Sequence, residues 1–434
     1  MLSRESVREY VGGALWVWPV VASLAALALG LVMGQIIISP QSPLAPLGFQ
    51  GTADDARGLL TTISSTVVTV IALVLGLTVV ALQLASTQFS PRLLRNFLRD
   101  RSTQLVLSVF MATFVYSTAG LFTVGVSAGS RVEQFPRLAV TGAMVLLFAS
   151  LAMVVYFADH LAHSIQLDAV TTNAEKGALR VARSQVGTSE MSQPQPPPWA
   201  VSLVALRTGY IQTARPDALL PLAGRHGVSV AVRHRVGEHV IAGTTLALMW
   251  PPSATDPAPN SEMFSAALDE VIKIGFERTL QQDVTFGMRQ LVDVACKALS
   301  PAVNDPYTAV QAIDHLSVIF CALAVRPVGD DVARDPEGTA VVVVPGRRFG
   351  DYLAVLCGMI RRYGASEPIV CQALLRLLSN CAALIGDDPD RRAAIEKQVR
   401  LIVLDAEREI AQPDDFLAVR AAGEAIGYAR PTAP

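Results

Sequence analysis

The chain has 434 residues, 51% hydrophobic and only 17% charged, with a mean hydropathy of +0.41. That balance lies outside the range of soluble globular domains. A formal net charge of −2 provides no global attraction to nucleic acid, so no nucleic-acid partner is expected.

Four long apolar segments crowd the first part of the chain: Leu15 to Ile38, Thr61 to Thr87, Gln104 to Ser127 and Leu138 to Phe157. Each is long enough to cross about 30 Å of hydrocarbon as a helix. The expected fold is therefore an α-helical membrane protein, with four transmembrane helices followed by a cytoplasmic α+β tail. Arg4 and Arg8 precede the first run, which lacks a small-residue cleavage site and reads as a retained span rather than a signal peptide. The first loop contains Pro40, Pro43 and Pro46 and then Asp54, Asp55 and Arg57, too many prolines at its start for a regular element. It is suited to capping the outer mouth of an assembly.

Orientation follows from the loop basic residues, which are retained on the cytoplasmic side. The second loop, SPRLLRNFLRDRS, carries Arg92, Arg95, Arg99 and Arg101, while the flanking loops hold Arg57 and then Arg131 and Arg137. This loop is expected inside, and with four spans both termini join it. Lys176, Arg180 and Arg183 after the fourth span agree. The expected location is the bacterial inner membrane, with the lipid bilayer as first partner.

The second span differs from the others. On a helical wheel Thr62, Ser65, Thr66, Thr69, Gly76, Gln83 and Thr87 share one arc, with Leu73 and Val80 the bulky apolar residues near its middle. Two readings stand side by side. Small and hydroxylated residues allow close helix packing in membranes, or the stripe lines a water-filled path in a homo-oligomer, with Leu73 and Val80 gating by dewetting. In the first span, Gly30 and Gly34 suit close helix contact. No Asp, Glu, Lys or Arg lies inside a span, which argues against an ion-coupled transporter. Asp159, His160 and His163 sit where the fourth span emerges, as a membrane-exit polar cluster or a metal or proton site.

The fourth span continues without a breaker toward Val186, predicting a helix that projects from the bundle, until SQPQPPPW ends it. Short β-type runs follow at Val201–Leu206, Gly209–Gln212, Val228–His234, His239–Ile241 and Thr245–Trp250, forming a small β-rich module. After PPSATDPAPNSE the pattern is mainly helical: Met263–Leu280, Val284–Leu299, Pro306–Leu323, Phe349–Tyr363, Glu367–Ile385, Arg391–Ala411 and Asp414–Gly427, with one strand at Ala340–Val344. The expected domains are residues 1–160 (membrane), 161–198 (connecting helix and linker), 199–250 (β-rich) and 263–430 (helical).

Within the helical part, Asp283 suits an N-cap, Arg289 and Asp293 are spaced to pair, and Asp305 caps a helix that begins at Pro306. The Asn304-Asp305 turn, with Asp283, Arg289 and Asp293, is the candidate ligand or subunit contact. Five cysteines show neither CxxC spacing nor a His partner, and read as small buried hydrophobes in a reducing compartment. No GxSxG, P-loop, HExxH or post-strand GxGxxG occurs, so neither an enzyme, a metal nor a cofactor is expected.

The segments LLTTISSTVVTVIALVLGLTVVALQLASTQFSPRLLRNFLRD, YFADHLAHSIQ, GYIQ and RTLQQDVTFGMRQLVDVACKALSPAVNDPYTAVQAIDHL resemble the bacterial predicted membrane proteins grouped as domain of unknown function 2254. The resemblance implies an inner-membrane protein with four N-terminal spans and a cytoplasmic tail, and carries no established activity. That family's pattern at the end of the fourth span has two adjacent histidines, where this chain has Asp159 before His160, so no paired-histidine role transfers.

The leading expectation is an oligomeric pore or channel-like protein passing an ion or small solute, its tail a vestibule or sensor. The alternative is a non-conducting scaffold or sensor that binds a ligand or protein partner through its cytoplasmic domain. A membrane enzyme built on His160 and His163 is the third reading.

Overall fold

The structure, a computed structural model, describes residues 14–36, 43, 45–88, 101–124, 135–164, 167–184, 194–257, 259–338 and 340–427. The chain divides into two compact units, Met1–Val170 and Thr171–Pro434.

The first unit contains helices α1 (Val17–Gln35), α2 (Ala53–Gln88), α3 (Arg101–Thr123) and α4 (Arg137–Ser164). α3 packs against all three of the others. Lipid tails are as apolar as leucine, so such a bundle holds by close packing and interhelical hydrogen bonds rather than by burial from water. Both are visible. A Cβ on Gly30 of α1 would lie 2.9 Å from the Ala119 Cβ of α3, so that glycine sets the approach of the two helices. On α3, Thr113 Oγ1 meets Ser150 Oγ of α4 at 2.8 Å, both side chains buried.

The proline-rich loop is tied to one end of the bundle. Arg137 donates to Phe49 O at 2.9 Å, the Phe49 N–H donates to Arg137 O at 3.2 Å, and Thr141 donates to Leu47 O at 2.9 Å. Thr52 and Asp55 form a reciprocal cap at the start of α2, at 3.0 and 3.2 Å. The Arg-rich loop expected inside (Arg92, Arg95, Arg99), Arg4, Arg8 and Arg131 lie outside the described residues.

The second unit holds α5 from Thr171 onward (the helix spans Leu167–Ser184), then β1 (Val201–Val204), β2 (Gly209–Thr213), α6 (Pro216–Arg225), β3 (Ser229–Val232), β4 (His239–Val240), β5 (Thr245–Trp250), α7 (Ser261–Val271) and β6 (Lys273–Gly275). It continues with α8 (Val284–Ala298), α9 (Pro306–Ala324), β7 (Asp331–Arg334), β8 (Val341–Val344), α10 (Phe349–Gly364), α11 (Pro368–Ala382), α12 (Pro389–Glu409) and α13 (Pro413–Glu424). One sheet has the order β1-β5-β3-β8-β7, antiparallel except for β3 and β8; the other is β4-β2-β6. Leu203, Val230, Leu246, Met249, Phe264, Leu268 and Val342 share its core with both sheets.

Several expectations are corrected. The β-rich module does not close at residue 250, because β6, β7 and β8 come from the segment expected to be helical apart from one strand, and supply partners to β2 and β3. The helix expected over Met263–Leu280 stops at Val271: Ile272 turns extended, and Lys273–Gly275 pairs with β2. α6 was not anticipated; Pro221 lies inside it and interrupts a helical pattern. The projecting helix expected to run unbroken out of the fourth span would pass through residues 165 and 166, which lie outside the described residues.

Five described helices, not four, are long and apolar enough to cross a membrane; the fifth is α9. Its Ala309, Ala312, Ile313, Leu316, Ile319, Phe320 and Leu323 are buried, and it packs against α8 and α11.

Candidate functional site

α2 presents two opposite faces. Ala56, Leu60, Ile63, Val67, Val74 and Ala81 recur at helical spacing and are buried in the bundle. Thr62, Ser65, Thr66, Thr69, Leu73, Gly76, Val80 and Gln83 are all exposed. Leu73 and Val80 are 58% and 50% exposed, and a Cβ on Gly76 would meet nothing within 4 Å. Thr87 lies on the same helix. Among the described residues, no other helix covers Thr62, Ser65, Thr66, Thr69, Leu73 or Val80. Three hydroxyls return to their own helix: Thr62 donates to Gly58 O at 2.8 Å, Ser65 to Thr62 O at 3.0 Å and Thr69 to Ser65 O at 3.0 Å. Each keeps oxygen lone pairs free to accept from outside.

Large apolar side chains are exposed on α1 (Val20, Leu24, Leu31), on α4 (Val145, Phe148, Leu151, Val155) and on α2 itself beside the stripe (Val68, Leu75, Leu77, Val79). Buried polar side chains within the bundle lie on α3, where Gln104, Ser108, Thr113 and Ser117 are buried. No amphipathic pattern separates these residues from a surface stripe, because α3 is surrounded by other helices.

At the end of α4, His163 Nδ1 lies 2.9 Å from Asp159 O and 3.4 Å from the Asp159 carboxylate, with both side chains about two-thirds exposed or more. His160 stacks on Tyr156 at 5.9 Å, and the Tyr156 hydroxyl donates to Ser102 Oγ at 3.0 Å. Among the described residues no group of three or more His, Cys, Asp or Glu is placed to hold a metal ion.

In the second unit, Asp283 is 3% exposed and its carboxylate is densely engaged. Arg278 donates to Oδ2 from Nε at 2.8 Å and from Nη2 at 2.6 Å, while Thr285 Oγ1 and the Phe286 N–H reach Oδ1 at 2.6 and 3.2 Å. Gly237, at φ +88°, lies so close that an added Cβ would collide with this carboxylate. Asp283 therefore caps α8 and ties it to the β3–β4 connection. Asn304 adopts φ +51° and Asp305 caps α9 through Thr308, whose N–H and hydroxyl donate at 3.1 and 2.6 Å. Those two bonds hold the Asp305 carboxyl below its ordinary pKa. Arg289 is exposed; Asp293 is half-buried, and its charge together with burial pushes the Cys296 thiol up to about 12, burial being the larger cause. Structure places Asp283 and the Asn304-Asp305 turn at opposite ends of α8, so these residues do not converge on one site. Cys357, Cys371 and Cys381 are buried, whereas Cys296 and Cys321 are half-buried.

What sequence reasoning missed is a cleft of about 510 Å³ between the β-strand connections and the start of α10 and α12. Arg348, Asp351, Asp388, Arg391, Lys397 and Gln398 are among its lining residues. Arg391 is 8% exposed and clamps the end of α9, donating to Ala324 O at 2.7 Å and Arg326 O at 2.9 Å. A cation there also opposes the negative end of that helix. Arg326 in turn donates to Arg183 O, near the end of α5, at 2.6 Å. Beside the cleft, burial pushes the Tyr352 hydroxyl up to about 12. No local sequence signal marks the cleft, because its residues come from separated segments.

The family model described as "Predicted membrane protein (DUF2254)" matches residues 13–380. The chain belongs to this family. Among its relatives are proteins of Mycobacterium bovis and Mycobacterium tuberculosis, both described as uncharacterised, each 43% identical over 422 residues, or 95% of this chain and 80% of the relative. No solved structure matches it. The DUF2254 assignment and the apolar helices together make this a membrane protein.

Proposed function

We propose that this DUF2254 protein is a homo-oligomeric, channel-like protein of the bacterial inner membrane, with the polar face of α2 turned toward the shared axis. The observation that carries the reading is the run of exposed hydroxyls on α2: Thr62, Ser65, Thr66 and Thr69 lie uncovered among the described residues, on a helix that also exposes Val68, Leu75, Leu77 and Val79. A helix face with outward hydroxyl acceptors suits water or a solute better than acyl chains, and Leu73 and Val80 supply apolar constrictions on the same line. The proposal counts α1 to α4 as spans and keeps α9 in the second unit's core, because α9 carries Asp314 and His315 paired with Arg376 and Glu175. It places both termini in the cytoplasm, on the distribution of loop arginines, and assigns no enzymatic role.

Purified protein in liposomes tests the reading by ion flux, comparing wild type with Thr69→Leu and Gln83→Leu. Flux reduced by both replacements supports it; absence of flux, or flux indifferent to them, overturns it. A second reading, a non-conducting sensor, is favoured by the polar cleft of the second unit, and a monomeric state in detergent would select it.

A further inference from the structure

We propose that Cys321 of α9 and Cys381 of α11 form a dithiol site that a hydroperoxide oxidises reversibly to a disulfide. The two helices lie side by side and are cross-tied on the approach to the pair. Arg376 donates to Asp314 at 2.6 Å, and Asn380 Nδ2 donates to Ser317 Oγ at 3.5 Å. Asp314, Ser317 and Cys321 share one face of α9 at helical spacing, so the next turn of that face brings Cys321 to the Cys381 end of α11. There the Cys381 thiol donates a hydrogen bond to Cys321, and the Ser317 hydroxyl donates a second. Thiols that share a hydrogen bond already point at one another, as a bridge requires.

Access and charge divide the pair into two roles. Cys321 is half-buried and Cys381 buried, so a small oxidant reaches Cys321 first. The thiolate is the nucleophile in this chemistry. The two donated hydrogen bonds hold the Cys321 thiol below its ordinary pKa against the opposing effect of burial, while the same pairing and burial push Cys381 up. Cys321 lies in the last turn of α9, whose negative end disfavours a thiolate, but Arg391 stands at that end, donating to Ala324 O and Arg326 O. The other cysteines are placed differently. Cys371 is spent on the carbonyls of Gly364 and Ala365 at 3.5 and 3.6 Å, and burial pushes the Cys296 and Cys357 thiols up to about 12.

The Cys321 sulfur attacks the peroxide: an S–O bond forms, the O–O bond breaks, and the departing oxygen takes a proton and leaves as water or an alcohol. The Cys381 thiol then loses its proton, and its sulfur attacks the Cys321 sulfenic acid, forming the S–S bond and releasing water. The two thiols supply the two electrons that reduce the peroxide. In the reducing compartment proposed for the second unit such a bridge is transient, because exchange with free thiols reopens it. This site does not depend on the channel reading.

The test uses the full-length protein in detergent, reduced with dithiothreitol, freed of it, and treated at neutral pH with an excess of hydrogen peroxide or cumene hydroperoxide. Thiol titration of the denatured protein is expected to show two of the five thiols lost, and both restored by dithiothreitol. Each cysteine falls in its own tryptic peptide, so mass spectrometry identifies the bridge directly. The expected link is Cys321 to Cys381, formed about tenfold faster than Cys296, Cys357 or Cys371 is oxidised. Cys381→Ser should leave Cys321 as a sulfenic acid that dimedone traps, and Cys321→Ser should leave Cys381 unoxidised. Ser317→Ala should slow the reaction and move its pH profile upward, which loss of a merely structural contact would not do. Mapping the wild-type link needs no variant to fold. Uniform loss of all thiols, Cys321 oxidised to a sulfinic acid with no link to Cys381, or five thiols intact while free cysteine in the same solution is consumed overturns the assignment.

Discussion

Glu175 Oε2 lies 2.6 Å from His315 Nδ1, joining α5 to α9 across 140 residues of sequence, with both side chains about four-fifths buried. Nearby, Ala178 of α5 sits against Gly287 of α8, where an added Cβ would be 2.7 Å from the Ala178 Cβ. These contacts fasten α5 to the helical core of the second unit. A double-mutant cycle with Glu175→Ala and His315→Ala is expected to give a coupling of about 1 kcal/mol. Strictly additive shifts in unfolding temperature would show that the pair contributes nothing.

Asp283→Ala should be among the most destabilising replacements in the second unit. It removes the carboxylate partner of Arg278, whose side chain is only 15% exposed, and the cap of α8 at once. Breaking a buried pair from one side costs about 3–5 kcal/mol. Denaturant unfolding with tryptophan fluorescence measures this, and a loss below about 1 kcal/mol would contradict the buried arrangement.

Asp331 supplies a pH dependence of definite sign. Burial, with the charge of Asp217 as a lesser cause, raises its carboxyl above the ordinary value of 3.8. Between that value and the raised one the folded state holds more protons than the unfolded, so this residue's contribution to stability falls as pH rises through the window. Asp331→Asn is expected to stabilise the protein at pH 7 and to lose that advantage below about pH 3.8. Unfolding temperatures across pH check it; an advantage that grew toward acid would refute the sign.

On α2 the two faces should respond oppositely. Leu60, 1% exposed, packs in the bundle, and Leu60→Ala should cost about 2–5 kcal/mol. Thr69→Leu changes an exposed position whose hydroxyl bonds only to its own helix, and should leave the chain's unfolding temperature nearly unchanged. A large loss from Thr69→Leu would mean that the stripe supports the fold after all.

The second span's stripe was legible because helical periodicity places residues on a face regardless of what surrounds them. Asp283 and Asp305 were legible as caps for a similar reason, since a cap is a local bond between a side chain and the next turn. β8 was legible as a strand from its run of valines, but β6 and β7 were not, nor was the pairing of the three into the sheets, because strand pairing is a contact between distant segments. Nor was the role of α3, whose buried Gln104, Thr113 and Ser117 look in sequence like any small polar residues in a span.

The sequence by itself determined that this is a membrane protein of the DUF2254 family and that one face of α2 is polar, because hydropathy and periodicity are properties of contiguous residues. Only the tertiary structure decided that this face is left uncovered among the described residues, and that Arg348, Lys397 and the buried Gln398 line one cleft. Exposure and convergence depend on which helices pack together, and that packing is set by contacts between residues far apart along the chain.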